Sequence, residues 1–171
     1  MKQNVADLLN AQVNKEFYSA YLYLGISKFF TKAKLYGFAN WYRVQATEEQ
    51  EHAMKIYDYL LDSKQDVCLE AIDKVDIKIE SALAAVIEAD KHEQYITAEI
   101  CKIMDLAVAE NDYTTQSFLD WFIEEQKEEE ENSRKMISRV EAVGSDRRLL
   151  YMLDKKIERS VSNPPLQKRK L

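Results

Sequence analysis

Residues that interrupt helices are scarce in this sequence. Only three glycines and two prolines occur in 171 residues, and the prolines are adjacent at positions 164 and 165. Glycine and proline are the residues least compatible with the interior of a helix, so almost nothing before position 164 breaks helix formation. The ten tyrosines, together with six phenylalanines and two tryptophans, supply bulky side chains for a core. The sequence therefore predicts an all-α fold.

Long apolar runs and cysteines are also scarce. No run approaches the roughly 18 residues of a membrane-spanning helix, and the first residues, MKQNVAD, lack the apolar core of a signal peptide. The two cysteines, Cys68 and Cys101, have neither CxxC spacing nor partners for a disulfide framework. We expect a cytoplasmic protein with free thiols and no membrane contact.

The net charge of the sequence disfavours nucleic acids as partners. Lysine and arginine number 24 against 30 aspartates and glutamates, which gives a net charge of −6. A negatively charged surface repels the phosphate backbone, so we expect no nucleic-acid binding, although residues 167–170 (QKRK) are basic. We expect one domain over residues 1–162, followed by a basic tail over residues 163–171.

Helical periodicity divides the chain into four long helices and one short helix. The predicted helices span residues 4–30, 37–62, 79–111, 112–143 and 147–160. The connection between the first two is short and predicts antiparallel neighbours. The roughly 17 residues after position 62 can extend over ~55 Å, more than the ~40 Å length of the second helix. The third helix should therefore run parallel to the second, after one long crossover.

Each long helix interrupts its apolar seam, the line of residues at heptad spacing that faces the core, near its middle. Near mid-height these interruptions form a cluster of Glu16, Glu49, His52, Glu93, Gln126 and Glu129. Buried carboxylates without partners repel one another and cost several kcal/mol each, whereas bound cations compensate them. Many oxygen ligands with one imidazole suit iron, manganese or loosely held zinc, and disfavour copper or a thiolate zinc site.

Four segments carry a resemblance to a known family. They are residues 14–23 (NKEFYSAYLY), 48–53 (EEQEHA), 92–97 (HEQYIT) and 118–130 (FLDWFIEEQKEEE). At these residues the sequence resembles the ferritin family, specifically the haem-free bacterial and archaeal ferritins, and the resemblance covers nearly the whole chain. It implies a ferritin-like four-helix bundle with one long crossover and a short fifth helix.

The resemblance also implies an intrasubunit di-iron centre. The first iron would be bound by side chains of the first two helices, Glu16, Glu49 and His52. The second would share Glu49 as a bridge and add two acidic residues, Glu93 and Glu129, with Gln126 beside it. The catalytic residues implied are Glu16, Glu49, His52, Glu93, Gln126 and Tyr23, the last being a tyrosine near the centre.

A third, more labile iron site is implied at the acidic end of the fourth motif. Its ligands would be Glu48, Glu125, Glu128 and Glu129. Glu125 lies three residues before Glu128 and four before Glu129, so these side chains share one helical face. His92 projects away from its seam, and we expect a surface or second-shell histidine there rather than a ligand.

At two positions the sequence differs from related subfamilies, which indicates the subfamily that it resembles. A symmetric di-iron enzyme or a bacterioferritin would carry Glu-x-x-His on the fourth helix, whereas this chain has Gln126-x-x-Glu129. The second metal site should therefore be weaker and exchange more readily. Bacterioferritins place a haem-ligating methionine directly after the bridging glutamate, where this chain has Gln50, so no haem is expected.

The activity implied is iron oxidation and storage. Fe(II) would be oxidised to Fe(III) by O2 or H2O2 at the di-iron centre, and the product would be stored as ferric oxide inside a shell of twenty-four identical subunits. Two alternatives remain. A di-iron or di-manganese enzyme would need a substrate pocket beside the metals, and a scaffold would use the polar seams only to specify helix register.

Overall fold

The computed structural model describes residues 1–162, and within them helices are the only regular elements. The five helices are α1 (Gln3–Lys32), α2 (Tyr36–Asp62), α3 (Ala82–Ala109), α4 (Tyr113–Val143) and α5 (Arg147–Ser162). The predicted all-α fold is confirmed, and every predicted helix boundary lies within three residues of the observed one. The predicted basic tail lies outside the described residues. None of the helices within residues 1–162 combines the length and apolarity needed to cross a membrane.

A tight turn makes α1 and α2 antiparallel neighbours. Lys34 adopts a left-handed conformation with φ of 60°, and the backbone N–H of Leu35 donates to the carbonyl oxygen of Phe30 at 2.9 Å. Beyond the turn, the ring of Phe30 stacks on that of Phe38 with 4.7 Å between ring centroids. The predicted short connection is therefore confirmed.

The long crossover follows α1 along its length. Asn10 Nδ2 donates to the carbonyl oxygen of residue 66, and Asn14 Nδ2 to that of residue 71, each at 3.1 Å. Further along, Ile77 packs against Gly25. The crossover thus runs in the direction of α1 and opposite to α2, which returns the chain to the end of the bundle where α2 begins. The predicted parallel arrangement of α2 and α3 follows from this path.

The start of α3 differs from the prediction. The expected start was Ile79, but the helix begins at Ala82, because Ser81 is extended (φ −150°, ψ 164°) and acts as the N-cap. The Ser81 hydroxyl accepts a hydrogen bond from the backbone N–H of Ala84 at 3.0 Å. Asp112, at the predicted start of the fourth helix, is the N-cap of α4, and its side chain accepts a hydrogen bond from the backbone N–H of Thr115 at 3.1 Å.

The short α5 packs against the beginning of α2. Asp154, fully buried on α5, accepts a hydrogen bond from the backbone N–H of Phe38 at 3.0 Å. This carboxylate satisfies one of the free N–H groups at the start of α2. The contact is close enough that a Cβ atom on Gly37 would lie 2.0 Å from the Asp154 carbonyl oxygen. Only glycine fits there without a shift of the backbone.

Two apolar clusters flank a polar layer in the middle of the bundle. One cluster lies around Leu9, Ile56 and Ile100, and the other around Ile26 and Phe38. Between them along the helices lie the buried polar residues Glu16, Glu49, His52, Glu93, Gln126 and Glu129. The fold thus brings together at mid-height the polar residues that interrupt the four predicted seams.

Candidate metal centre

The polar layer begins with three side chains from α1 and α2. Glu16 lies on the inner face of α1 and is 1% exposed, while Glu49 and His52, three residues apart on α2, are 1% and 6% exposed. One ligand atom from each lies within 4.8 Å of the others. This first ligand group could therefore hold one metal ion.

A second ligand group joins α2 to α3 and α4. Glu49, Glu93 and Glu129 are all buried and again place one oxygen each within 4.8 Å of the others. Glu49 belongs to both groups. Because a carboxylate has two oxygens, Glu49 could contact two ions at once, one from each group.

Gln126 borders the second group as a hydrogen-bond donor. Its Nε2 donates to Glu93 Oε2 and to Thr97 Oγ1, both at 3.2 Å. The Thr97 hydroxyl in turn donates to Glu130 Oε1 at 2.7 Å. These bonds fix the Glu93 carboxylate from the α4 side.

Burial raises the pKa values of the carboxyl groups in this layer. Burial, followed by the charge of Glu49, raises the pKa of Glu16 to about 8. Burial also raises the pKa of Glu49 to about 8 and that of Glu93 to about 7. The pKa of Glu129 lies well above its usual range, first through burial and then through the charge of Glu93.

Several buried oxygens in this layer lack partners. Within the described part of the chain, Glu16 Oε2, Glu49 Oε1 and Glu129 Oε2 are buried without a hydrogen bond. A buried oxygen without a donor is unfavourable, and a cation removes that cost. Carboxylate oxygens with a single imidazole nitrogen are the donors that suit iron or manganese. The chemistry of the layer therefore fits two such ions.

The predicted third site is only partly assembled. A third group consists of His52, Glu125 and Glu129, with 4.0 Å between His52 Nε2 and Glu125 Oε1. Glu48 lies outside this group and accepts a hydrogen bond from Gln45 at 2.8 Å, while Glu128 is exposed. Both nevertheless act electrostatically on their neighbours. In addition to burial, the charge of Glu128 raises the pKa of Glu125, and the charge of Glu48 raises that of Glu49.

Tyr23 lies in the core on the α1 side of the polar layer. It is buried and, together with Glu93 and Glu129, lines a cavity of about 20 Å³. Its ring lies 5.7 Å from that of Tyr42, centroid to centroid. The structure thus places the predicted tyrosine beside the second ligand group.

Comparison with known proteins identifies the family. A family model described as "Ferritin-like domain" matches residues 6–143. The chain belongs to the ferritin family. This ferritin is 36% identical over 157 residues to a bacterial non-heme ferritin of Staphylococcus saprophyticus, a match covering 92% of this chain and 94% of the relative. A bacterial non-heme ferritin of Staphylococcus aureus is 32% identical over 157 residues, with 92% and 95% covered. The resemblance drawn from the sequence is confirmed.

Solved structures agree with this assignment. An open pore ferritin of the archaeon Archaeoglobus fulgidus superimposes with a TM-score of 0.91 at 37% identity, covering 92% of this ferritin and 98% of that chain. A humanized archaeal ferritin superimposes with a TM-score of 0.90 at 38% identity, covering 92% and 96%. The architecture of the bundle, including its fifth helix, is therefore that of a ferritin.

Sequence analysis missed two contacts around the centre of this ferritin. Gln12, fully buried on α1, donates through Nε2 to Glu16 Oε1 at 2.7 Å. Its position one helical turn before Glu16 was a signal that could have identified it. His92, expected at the surface or in a second shell, is partly buried, and its Nε2 lies 2.7 Å from Ser19 Oγ. Burial lowers the pKa of His92 to about 4, so the imidazole is neutral at pH 7.

Proposed function

We propose that this ferritin stores iron. Fe(II) binds within each chain, is oxidised to Fe(III) by O2 or H2O2, and is kept as ferric oxide inside a shell of twenty-four identical subunits. The proposal rests above all on Glu49, a buried carboxylate that belongs to two ligand groups at once. Names of the relatives support it, since the similar proteins are bacterial non-heme ferritins. The predicted cytoplasmic location, and the predicted division into one domain over residues 1–162 and a basic tail over residues 163–171, remain part of this proposal.

Within this proposal the two ligand groups bind the substrate ions. The first Fe(II) takes Glu16, Glu49 and His52. The second takes Glu49 as a bridge with Glu93 and Glu129, and Gln126 orients Glu93 through their 3.2 Å hydrogen bond. His52 is held in orientation by the edge of the Trp121 ring, 5.4 Å away between centroids. No haem has a role in this account.

The raised pKa values of the buried carboxyl groups favour the entry of cations into the layer. Each Fe(II) displaces protons from the carboxyl groups that bind it. The positive charge of the ion then compensates the carboxylates, so none of them is left buried without a partner. Each ion then gives up one electron. The two electrons and two protons convert O2 to H2O2, or convert H2O2 to two water molecules. Carboxylate oxygens are hard ligands that favour Fe(III) over Fe(II), so they make this oxidation more favourable.

Release of the product follows from the asymmetry of the ligands. The second group contains no imidazole, and its neighbour Gln126 is neutral, so we propose that it binds the oxidised ion less firmly than the first group. A third site formed by Glu48, Glu125, Glu128 and Glu129 would receive ions in transit. Glu125 and Glu128 are more accessible than the ligands of the first two groups, which suits exchange with solvent. Tyr23 would act beside the second ion.

The size of the adjoining cavity argues against an organic substrate. The cavity beside Glu93 and Glu129 measures about 20 Å³. That volume accommodates one water molecule, whereas an organic substrate requires hundreds of Å³. The alternative function, a di-iron or di-manganese enzyme, would need a larger cavity beside Glu93 and Glu129 to hold its substrate.

Iron loading of the purified protein tests the proposal. Fe(II) is added anaerobically to the metal-free protein, air is admitted, near-ultraviolet absorbance reports ferric iron, and light scattering reports particle size. We expect fast oxidation of roughly two to three irons per chain, then slower mineral growth inside a large particle. Glu49→Gln should abolish the fast phase and leave the particle intact. Asp58→Asn, the same neutralisation at an exposed position of α2, should leave both unchanged.

Two results would contradict the proposal. A particle of one or two chains that binds two metal ions tightly and forms no mineral would make a di-metal enzyme the better account. Full metal binding by a variant lacking both Glu16 and His52 would favour a scaffold whose polar seam only sets helix register.

A further inference from the structure

A series of hydrogen bonds leads from the surface of the bundle to the second ligand group. Arg134 Nη1 donates to Glu130 Oε2 at 2.9 Å, and the Thr97 hydroxyl donates to Glu130 Oε1 at 2.7 Å. Gln126 Nε2 donates to Thr97 Oγ1 and to Glu93 Oε2, both at 3.2 Å. We call the four residues that lead to Glu93 the α3–α4 network: Arg134, Glu130, Thr97 and Gln126.

Helical spacing places the members of the α3–α4 network next to one another. On α4, Gln126 lies four residues before Glu130, which lies four residues before Arg134. On α3, Thr97 lies four residues after Glu93. Residues four apart are neighbours on a helix surface, so each helix presents its members along one face. From the surface inward, Arg134 is exposed, Glu130 and Thr97 are partly buried, and Gln126 is buried.

The carboxylate of Glu130 determines which way the hydrogen bonds run. Arg134 is always positively charged and pairs with Glu130, and a carboxylate can only accept. The Thr97 hydroxyl therefore donates its single hydrogen to Glu130, which leaves its oxygen as an acceptor. Facing that oxygen, Gln126 can form a hydrogen bond through its amide nitrogen and not through its amide oxygen.

The backbone of Glu93 favours the same orientation of the amide. Gln126 Nε2 lies 3.4 Å from the carbonyl oxygen of Glu93, which also accepts and never donates. This contact is longer than the usual range for N–H···O hydrogen bonds, so it fixes the amide less firmly than the Thr97 oxygen does. A Thr97 hydroxyl released from Glu130 could turn its hydrogen toward the amide oxygen of Gln126. The amide would then be free to reverse.

We propose that Thr97 and Glu130 act together as positioning residues for the second ion. They hold Gln126 with its N–H group toward Glu93, and the resulting hydrogen bond fixes the Glu93 carboxylate in the direction of the second ligand group. Each carboxylate oxygen has two lone pairs, so accepting this bond leaves both oxygens of Glu93 able to bind an ion. This inference rests on the proposed function, because Glu93 is a ligand of the second ion.

The effect should be confined to the second ion. Glu93 belongs to the second ligand group, whereas the first group consists of Glu16, Glu49 and His52. The first ion therefore serves as an internal reference in every variant. Hydrogen-bonding partners behind metal ligands commonly change affinity by ten- to a hundred-fold. We expect a loss of roughly that size for the second ion when the Thr97 hydroxyl is removed.

Anaerobic titration with Co(II) tests the inference without requiring iron oxidation. Calorimetry gives the two affinities, and the visible absorption of Co(II) reports the ligand geometry. Thr97→Val removes the hydroxyl, keeps the branched shape and changes no charge. It should weaken the second ion by roughly ten- to a hundred-fold and alter its spectrum, with the first ion unchanged. Thr97→Ser, which keeps the hydroxyl, should retain most of the affinity.

Glu130→Gln tests the direction of the hydrogen bonds. Arg134 only donates, so it should hold the amide oxygen of the new glutamine and turn the NH2 group toward Thr97. The Thr97 hydrogen would then point to Gln126 and reverse its amide, so we expect the second ion to bind more weakly. Without the hydroxyl, position 130 cannot act through Thr97. The variant with both Thr97→Val and Glu130→Gln should therefore lose less than the sum of the two single losses.

Thr31→Val is the matched control. Thr31 is a threonine of α1 whose hydroxyl donates to the carbonyl oxygen of Ser27 at 2.9 Å. It lies about four helical turns beyond Glu16 and away from the polar layer. We expect its Co(II) binding to match the wild type.

The outcomes separate this inference from the proposed function. Wild-type protein that binds no Co(II) in the bundle would refute the proposed function and this inference with it. Wild type that binds two ions, with Thr97→Val unchanged, would refute this inference alone. So would equal losses in Thr97→Ser and Thr97→Val, equal weakening of both ions, or additive losses in the double variant, because packing or charge rather than the direction of the hydrogen bonds would then explain the effect.

Discussion

Replacing Glu16 with glutamine should make the metal-free protein less sensitive to alkaline pH. Burial raises the pKa of Glu16 from 4.5 to about 8. Between these two values the folded protein keeps a proton that the unfolded chain releases. The stabilising contribution of the Glu16 proton to the free energy of unfolding is therefore fully present below about pH 4.5, decreases as the pH rises, and is lost once the pH passes the pKa of the folded state.

The size of this effect follows from the pKa difference. One pKa unit corresponds to about 1.4 kcal/mol, so Glu16 alone should remove roughly 3 kcal/mol from the free energy of unfolding between pH 5 and pH 8. The Glu16→Gln variant cannot ionise at this position, so its free energy of unfolding does not decrease for this reason. It keeps a side-chain oxygen for the hydrogen bond from Gln12, which is 2.7 Å long in the wild type. For a chain of this length the difference corresponds to about 6–12 °C in Tm.

Scanning calorimetry with a chelator present measures the effect. Wild type, Glu16→Gln and Glu141→Gln, an exposed glutamate of α4, are compared from pH 5 to pH 8 at one protein concentration. The Tm of Glu16→Gln should rise relative to wild type as the pH increases, and that of Glu141→Gln should follow the wild type. Parallel curves for all three proteins would refute the assignment of a buried, protonated carboxyl at position 16.

Two further predictions concern the protons of the polar layer and the packing of α5. Burial raises the pKa of Glu16 and Glu49 to about 8, that of Glu93 to about 7 and that of Glu129 well above its usual range, so binding of two Co(II) ions at pH 7 should release roughly three protons per chain. The release is measured as a dependence of the calorimetric heat on the ionisation enthalpy of the buffer, and heats independent of the buffer would contradict it. Gly37→Ala should lower the free energy of unfolding by about 2 kcal/mol or more, because its Cβ would lie 2.0 Å from the Asp154 backbone. Gly25→Ala, which would meet only a side-chain atom at 3.3 Å, should cost much less in the same urea titration, and equal losses would count against the packing argument.

The helices and their polar layer were predictable because both signals are local to each helix. Few residues before position 164 interrupt helix formation, so breaks such as Asn111-Asp112 and Gly144 were clear in the sequence. Heptad spacing then placed Glu16 on the inner face of α1 without knowledge of its neighbours, and the residue is 1% exposed.

The start of α3 was missed because the end of the crossover is apolar. Val75, Ile77 and Ile79 pack against the core from an extended segment that has no regular hydrogen bonding. Their spacing of two is that of an extended chain, in which alternate side chains face the same side. The predicted helix therefore begins at Ile79, although Ser81 is the N-cap.

Contacts between side chains at the edges of the seams could not be predicted from the sequence of each helix separately. His92 lies one position from the seam residue Glu93, and its neighbour Ser19 is 73 residues away along the chain. Whether such a side chain meets solvent or another helix depends on the distance and rotation of the neighbouring helix. Those quantities are set by packing over the whole bundle. The predicted third site has the same difficulty, since Glu48 and Glu125 lie on different helices.

The central claim is that two ions bind on either side of Glu49. Crystals of the protein soaked anaerobically in Fe(II), with diffraction recorded at the iron absorption edge, test it most directly. The account predicts two anomalous peaks inside the bundle, one contacted by Glu16, Glu49 and His52 and the other by Glu49, Glu93 and Glu129. Iron found only at exposed glutamates, or a single ion that Glu49 does not contact, would contradict it.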